Sequence, residues 1–148
     1  MKRTFVFVIA IFILFAFSGL LQAADPSIVG VWSLPFLKGK DKGKERSNVE
    51  IFEKDGVYYG KIVKLSPGVP ANALCVTCKK DRKDKPLMGL LVLWGLKKEA
   101  GRYVEGKVYD VDEGKEYKCS MALVSPEKLK VTASLLFISQ SHYWTRVK

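Results

Sequence analysis

Cys75-Val76-Thr77-Cys78 and His142 are the residues of this chain whose types and spacing could do chemistry. Two cysteines separated by two residues fit a redox dithiol, half a zinc site, or a short local disulfide. A zinc site needs two further thiolate or imidazole ligands, and only Cys119 and His142 remain to supply them. The reading is a Cys75–Cys78 disulfide that stiffens a loop; a thiol redox or metal role, and a bridge from Cys119 to one of the pair, are the alternatives. No metal or cofactor is expected. His142 has no serine or cysteine nucleophile and no carboxylate recognisable beside it. No catalytic residue is therefore assigned, and the chain is not read as an enzyme.

What must position these groups follows a leader. Lys2 and Arg3 precede an uncharged stretch from Phe5 to Ala24, which Ser18-Gly19 breaks before a small-residue exit at Ala23-Ala24. That order describes a secretory signal peptide over residues 1–23, an uncleaved membrane anchor being the alternative. No cysteine occurs before Cys75, so an acyl-anchored lipoprotein is excluded. The expected location is periplasmic or secreted, an oxidising setting that suits a disulfide. Residues 24–148 then form a single domain, long enough to bury a core.

Gly30-Val31-Trp32 and Trp144-Thr145-Arg146 stand near the two ends of that domain. A Gly-x-Trp at the start of a first strand lets an indole plug one end of a small barrel. An Arg on the last strand can lie on that indole's face, so Gly30, Trp32 and Arg146 are read as a barrel closure. Between them short strands are expected at 28–34, 47–53, 57–65, 87–96, 102–111, 115–124, 128–134 and 141–147. The joins Lys54-Asp55-Gly56, Glu99-Ala100-Gly101, Asp112-Glu113-Gly114 and Ser125-Pro126-Glu127 are hairpin turns. The predicted fold class is all-β: a small eight-stranded antiparallel up-and-down barrel. Two connections are long, 35–46 and 66–86, and function tends to reside in such loops.

Alternation assigns side chains to faces. Tyr117, Cys119, Met121 and Leu123 oppose Glu116, Lys118 and Ser120; Leu129, Val131 and Ala133 oppose Lys130, Thr132 and Ser134. Leu87 to Leu96 has no polar side chain on either face. Its outer face needs a cover: the 66–86 loop, the Leu135-Leu136-Phe137-Ile138 segment, or a second copy in a homodimer through this fourth strand. Met88, Leu90, Val92, Trp94, Tyr117, Met121, Leu129 and Val131 are the candidate ligand-binding wall of the barrel. Cys119 is read as a buried free thiol, and Glu50 and Glu116 as facing water.

Charge narrows the partners. The net charge is +10, falling to +8 once Lys2 and Arg3 leave with the leader. Lysines and arginines cluster at 38–46 and 79–85. Solvated loops are one reading, and attraction to an anionic envelope surface is the other. Nucleic acid is not expected as a partner, because export removes the chain from it and the clusters lack interleaved aromatic residues.

The chain also resembles the domain of unknown function 2147 family of bacterial secreted proteins. The resemblance rests on Val29-Gly30-Val31-Trp32, Tyr59-Gly60-Lys61-Ile62-Val63, Lys85-Pro86-Leu87-Met88-Gly89-Leu90, Glu105-Gly106-Lys107-Val108-Tyr109-Asp110 and Tyr143-Trp144-Thr145-Arg146-Val147. It implies a lipocalin-like, calycin-type barrel in an exported protein, with no established activity. The departure lies between Val131 and His142, where members typically carry an Arg-Gly-Tyr run. Taken together, the sequence favours a binding protein holding a small apolar or amphipathic ligand in a barrel. The alternative is a cell-envelope interaction module that uses the basic loops and an apolar outer strand face.

Overall fold

A computed structural model describes residues 26–148; the expected leader and its cleavage point lie outside the described residues. Eight strands follow one another: β1 (Gly30–Pro35), β2 (Glu45–Lys54), β3 (Val57–Lys64), β4 (Leu91–Glu99), β5 (Arg102–Asp110), β6 (Lys115–Ser125), β7 (Lys128–Leu135) and β8 (Ile138–Arg146). Each pairs antiparallel with the next, and β8 returns to β1 through Trp32 opposite Arg146 and Ser33 opposite Thr145. The result is a closed barrel with up-and-down order. Among the described residues the helical structure is one 3₁₀ turn, Lys80–Arg82.

Asp55-Gly56 and Ala100-Gly101 make two-residue turns, both residues of each having positive φ. That conformation matches the right-handed twist of the flanking strands. Asp110 caps the β5–β6 turn by accepting the backbone N–H groups of Asp112 and Glu113 at 2.8 and 3.1 Å. Because the strands alternate in direction, the connections fall into two sets. The turns 55–56, 100–101 and 126–127 lie at one end. The loops 36–44 and 65–90, the turn 111–114 and the turn 136–137 lie at the other.

The first end is sealed. Trp32 is fully buried there, and its indole N–H donates to the Ile28 carbonyl at 2.7 Å. Tyr58 and Tyr103 meet edge-on with ring centroids 4.8 Å apart, and the Tyr103 hydroxyl accepts the Ile28 N–H. Ile51, Leu93, Leu96 and Leu129 fill the space between them. Gly106 has no side chain because Leu96 occupies the position a Cβ would take.

Two elements differ from the alternation reading. The fourth strand runs from Leu91 to Glu99 and not from 87. Leu87 to Leu90 instead ends the preceding loop, tied by Leu87 N–H to the Ala73 carbonyl and Gly89 N–H to the Ile62 carbonyl. The register between β3 and β4 shifts at Gly60 and Lys61, so that Val92 and Leu93, adjacent in sequence, are both buried. A bulge of that kind is what a continuous apolar run conceals. The eighth strand begins at Ile138, three residues before the expected 141, because Leu136-Phe137 is a two-residue hairpin turn.

Candidate functional site

The loop 65–90 covers part of the second end of the barrel. Its outer half is a small hairpin of its own: Leu74 bridges Pro86, Cys75 N–H donates to the Lys85 carbonyl, and Asp84 N–H donates back to the Cys75 carbonyl. A Cys75–Cys78 disulfide closes it, and both cysteines are buried. Side-chain and backbone bonds then fasten it to the barrel. Thr77 Oγ1 donates to the Val111 carbonyl, and Lys79 N–H donates to the Tyr109 hydroxyl at 3.0 Å. Cys119 lies away from this pair as a buried free thiol on the barrel interior, and burial pushes it up to about 12.

From this anchored loop Arg82 reaches the barrel wall. Its guanidinium lies 4.4 Å from the ring centre of Trp94 and 5.0 Å from that of Tyr109, with 21% of the side chain exposed. Trp94 is paired with Lys107 and belongs to the outer face of β4. The cover that this apolar strand required is therefore the loop of the same chain. Leu135 to Ile138, the second cover considered, forms an exposed hairpin tip instead.

Beside Arg82 a cleft of about 360 Å³ opens between the loop and the start of β4, lined by Arg82, Lys85, Asp81, Met88, Leu90 and Leu91. Its chemistry is divided. Met88 and Leu91 offer exposed apolar surface, while Arg82 and Lys85 offer positive charge. Within the barrel a second space of about 40 Å³ remains, bounded by Leu34, Val49, Ile62, Val92 and Trp144, with Arg46 at its polar side. Arg46 is held by Asp112 at 2.6 Å. A volume of that size admits a water molecule or two.

The candidate wall residues thus divide. Met88 and Leu90 line the cleft, Val92 lines the small interior space, and Trp94 lies on the outer face beneath Arg82. Met121, Leu129 and Val131 are buried core. Tyr117 is half-buried, opposite Val108, and donates its hydroxyl to Glu113 at 2.5 Å; that bond pushes the phenol up to about 12. Arg82 and Lys85, the cations of the cleft, were legible only as members of a charged loop, since nothing in spacing shows which of five neighbouring cations turns onto a wall. Glu50 and Glu116 face outward, paired with Lys61 at 3.0 Å and Lys107 at 2.7 Å.

His142 lies opposite Val131 in the β7–β8 ladder, two residues before the buried Trp144. Paired residues share a face, so His142 points to the barrel interior. Burial holds its imidazole below the ordinary range. Among the described residues no three His, Cys, Asp or Glu side chains converge as metal ligands would.

At the sealed end Arg146 stands over Trp32, 4.3 Å from the ring centre. Its guanidinium donates to the carbonyls of Val29 and Ser27 at 2.8 Å each and of Pro126 at 2.6 Å. One cation thereby ties the entering segment, the last strand and the β6–β7 turn together.

Comparison with known proteins places this architecture. No curated protein matches the chain. Among solved structures, a protein from the human pathogen Helicobacter pylori, described as belonging to the lipocalin family, superimposes with a TM-score of 0.70 at 24% sequence identity, covering 82% of this chain and 84% of that one. At that identity the likeness speaks for the fold: an eight-stranded lipocalin-like barrel. The family model described as "Uncharacterized protein conserved in bacteria (DUF2147)" matches residues 30–146. Because that match runs from the first residue of β1 to the last residue of β8, the chain belongs to the DUF2147 family.

Proposed function

We propose that this is an exported binding protein for a small amphipathic anion, held at the open end of the barrel. The observation that supports the reading best is the cleft at Arg82 and Met88, where an apolar floor and a cationic rim coincide in a volume of about 360 Å³. Ligand sites of small molecules are typically of that size, mostly apolar, with a few placed polar groups. The tail of such a ligand would lie on Met88, Leu90 and Leu91, and its head on Arg82 and Lys85. The 40 Å³ interior space is too small for an acyl chain. The site is accordingly the mouth and not the barrel axis. Export, from the leader-like residues 1–23, would place the protein where such amphiphiles arise at the envelope.

Titration with a fluorescent fatty acid tests this, with energy transfer from tryptophan as the readout. Micromolar binding is expected. It should weaken about tenfold when Arg82→Gln and Lys85→Gln are combined, and the corresponding fatty alcohol should be indifferent to that change. Absence of binding below the millimolar range, or equal affinity of acid and alcohol, would defeat the reading.

A further inference from the structure

The exposed apolar surface of this barrel is concentrated at one end. Among the described residues fourteen large hydrophobic side chains are exposed; Val29, Val124, Tyr143 and Val147 are scattered elsewhere, and the other ten lie at the open end. Four of the ten are consecutive: Leu135 (44% exposed), Leu136 (89%), Phe137 (102%) and Ile138 (70%) form the tip of the β7–β8 hairpin. Nothing in the fold requires them. Leu136 and Phe137 contribute no burial, and Leu136 takes a φ of 54°, a conformation that glycine adopts freely and leucine does not. A two-residue hairpin built only for folding would carry glycine or asparagine here.

The same end is the more cationic one. The loops 36–44 and 65–90 and the turn 111–114 carry nine lysines and arginines against five acids, whereas the three turns at the sealed end carry Asp55 and Glu127, with Lys54, Arg102 and Lys128 on the strand residues that flank them. Lys40, Lys42, Lys80, Lys83 and Lys85 take part in no ion pair among the described residues. The tip also projects. In register β1 stops at Pro35, and its pairing with β8 covers Thr145 and Arg146, leaving Ile138 to His142 without a β1 neighbour. On its inner side the hairpin is continuous with the barrel interior: Ile138 faces Leu135, Gln140 faces Ala133, His142 faces Val131 and Trp144 faces Leu129.

We infer that the open end docks on an anionic phospholipid bilayer, with Leu136 and Phe137 entering the headgroup boundary and the basic loops lying on the lipid phosphates. Apolar side chains at a projecting tip supply partition into the interface, and the lysines supply electrostatic attraction that decays within a Debye length of the surface. Charge complementarity selects this occupant. A second copy of the chain would bring two cationic ends together. The inference goes beyond the binding reading and stands without it, since docking needs no ligand in the cleft.

Flotation with phospholipid vesicles tests it, using the chain from Ala24, which contains the whole barrel. Binding to phosphatidylglycerol-containing vesicles is expected, with loss of most of it on pure phosphatidylcholine or at 0.5 M salt. The double variant Leu136→Gly with Phe137→Ser should bind at least tenfold more weakly while its thermal unfolding is unchanged or raised, because glycine suits the turn. Lys40→Glu with Lys42→Glu should weaken binding on anionic vesicles only. If the starting protein does not float, if the tip variant floats equally well, or if sedimentation shows a dimer that the tip variant dissolves, the inference is overturned. Fatty-acid titration without vesicles is read separately, so failure of one reading does not imply failure of the other.

Discussion

A Cβ added to Gly30 would lie 2.6 Å from Nη1 of Arg146. The glycine is thus the space through which the guanidinium reaches the Val29 and Ser27 carbonyls while stacking on Trp32. Its φ of 135° is one that side chains rarely adopt, so Gly30→Ala meets both obstacles at once. We expect it to cost about 1–3 kcal/mol. Arg146→Ala, which strands three carbonyls, should cost about 2–4 kcal/mol, and Arg146→Lys somewhat less because the charge stays but the planar fork is lost. Urea unfolding measures each. A double-mutant cycle with Trp32→Phe should show coupling of at least about 0.5 kcal/mol; additive effects would deny that stacking contributes.

The closure pair was legible because it needs only residue types at the two ends of a β chain. The carbonyl clamp was not, since Pro126 and Ser27 lie near opposite ends of the domain's sequence and only the closed barrel brings them to one guanidinium. Strands with clean alternation, such as β6 and β7, were read within a residue or so of their bounds. The errors fell where alternation carries no information. Leu87 to Leu90 is apolar as a strand would be, yet its groups bond back to Ala73 and Ile62 across a loop. Ser139-Gln140 falls outside the expected eighth strand, yet it is ladder, because the turn before it uses Leu136-Phe137, residues no turn rule selects. Met88 and Leu90, read as barrel wall, line a cleft at the mouth instead.

The thiols should behave as two populations. Under non-reducing conditions, mass spectrometry after alkylation in denaturant should count one modified cysteine, Cys119, and the Cys75–Cys78 peptide should remain linked. In the folded protein Cys119 should resist alkylation at neutral pH, because burial leaves almost no thiolate. Cys75→Ser with Cys78→Ser should lower stability by about 2 kcal/mol on the chain-entropy account of so short a loop. Fast alkylation of the native protein would contradict the burial.

Trp94 reports on the loop. Trp32 is fully buried and Trp144 nearly so, whereas Trp94 depends on Arg82 for its cover. Arg82→Ala should shift tryptophan emission to the red and raise acrylamide quenching, while stability falls by only about 0.5–1.5 kcal/mol. Trp94→Phe should abolish both spectral changes. If the emission of Arg82→Ala is unaltered, the guanidinium does not cover the ring in solution.

Acid should loosen the barrel through His142. Burial lowers its pKa in the folded state, so between that lowered value and the ordinary 6.5 the unfolded chain binds a proton that the folded chain refuses. Stability therefore rises with pH across this window, and it is lost as the pH falls from about 6.5 through the folded value. Above 6.5 the residue contributes no pH dependence. The side chain is half-buried and not enclosed, so the effect is modest beside that of a fully buried histidine. His142→Gln keeps a polar group opposite Val131 without the titration. Urea midpoints measured at pH 7.5 and pH 5.5 should fall farther for the parent than for His142→Gln; equal falls would assign the acid sensitivity to the carboxylates instead.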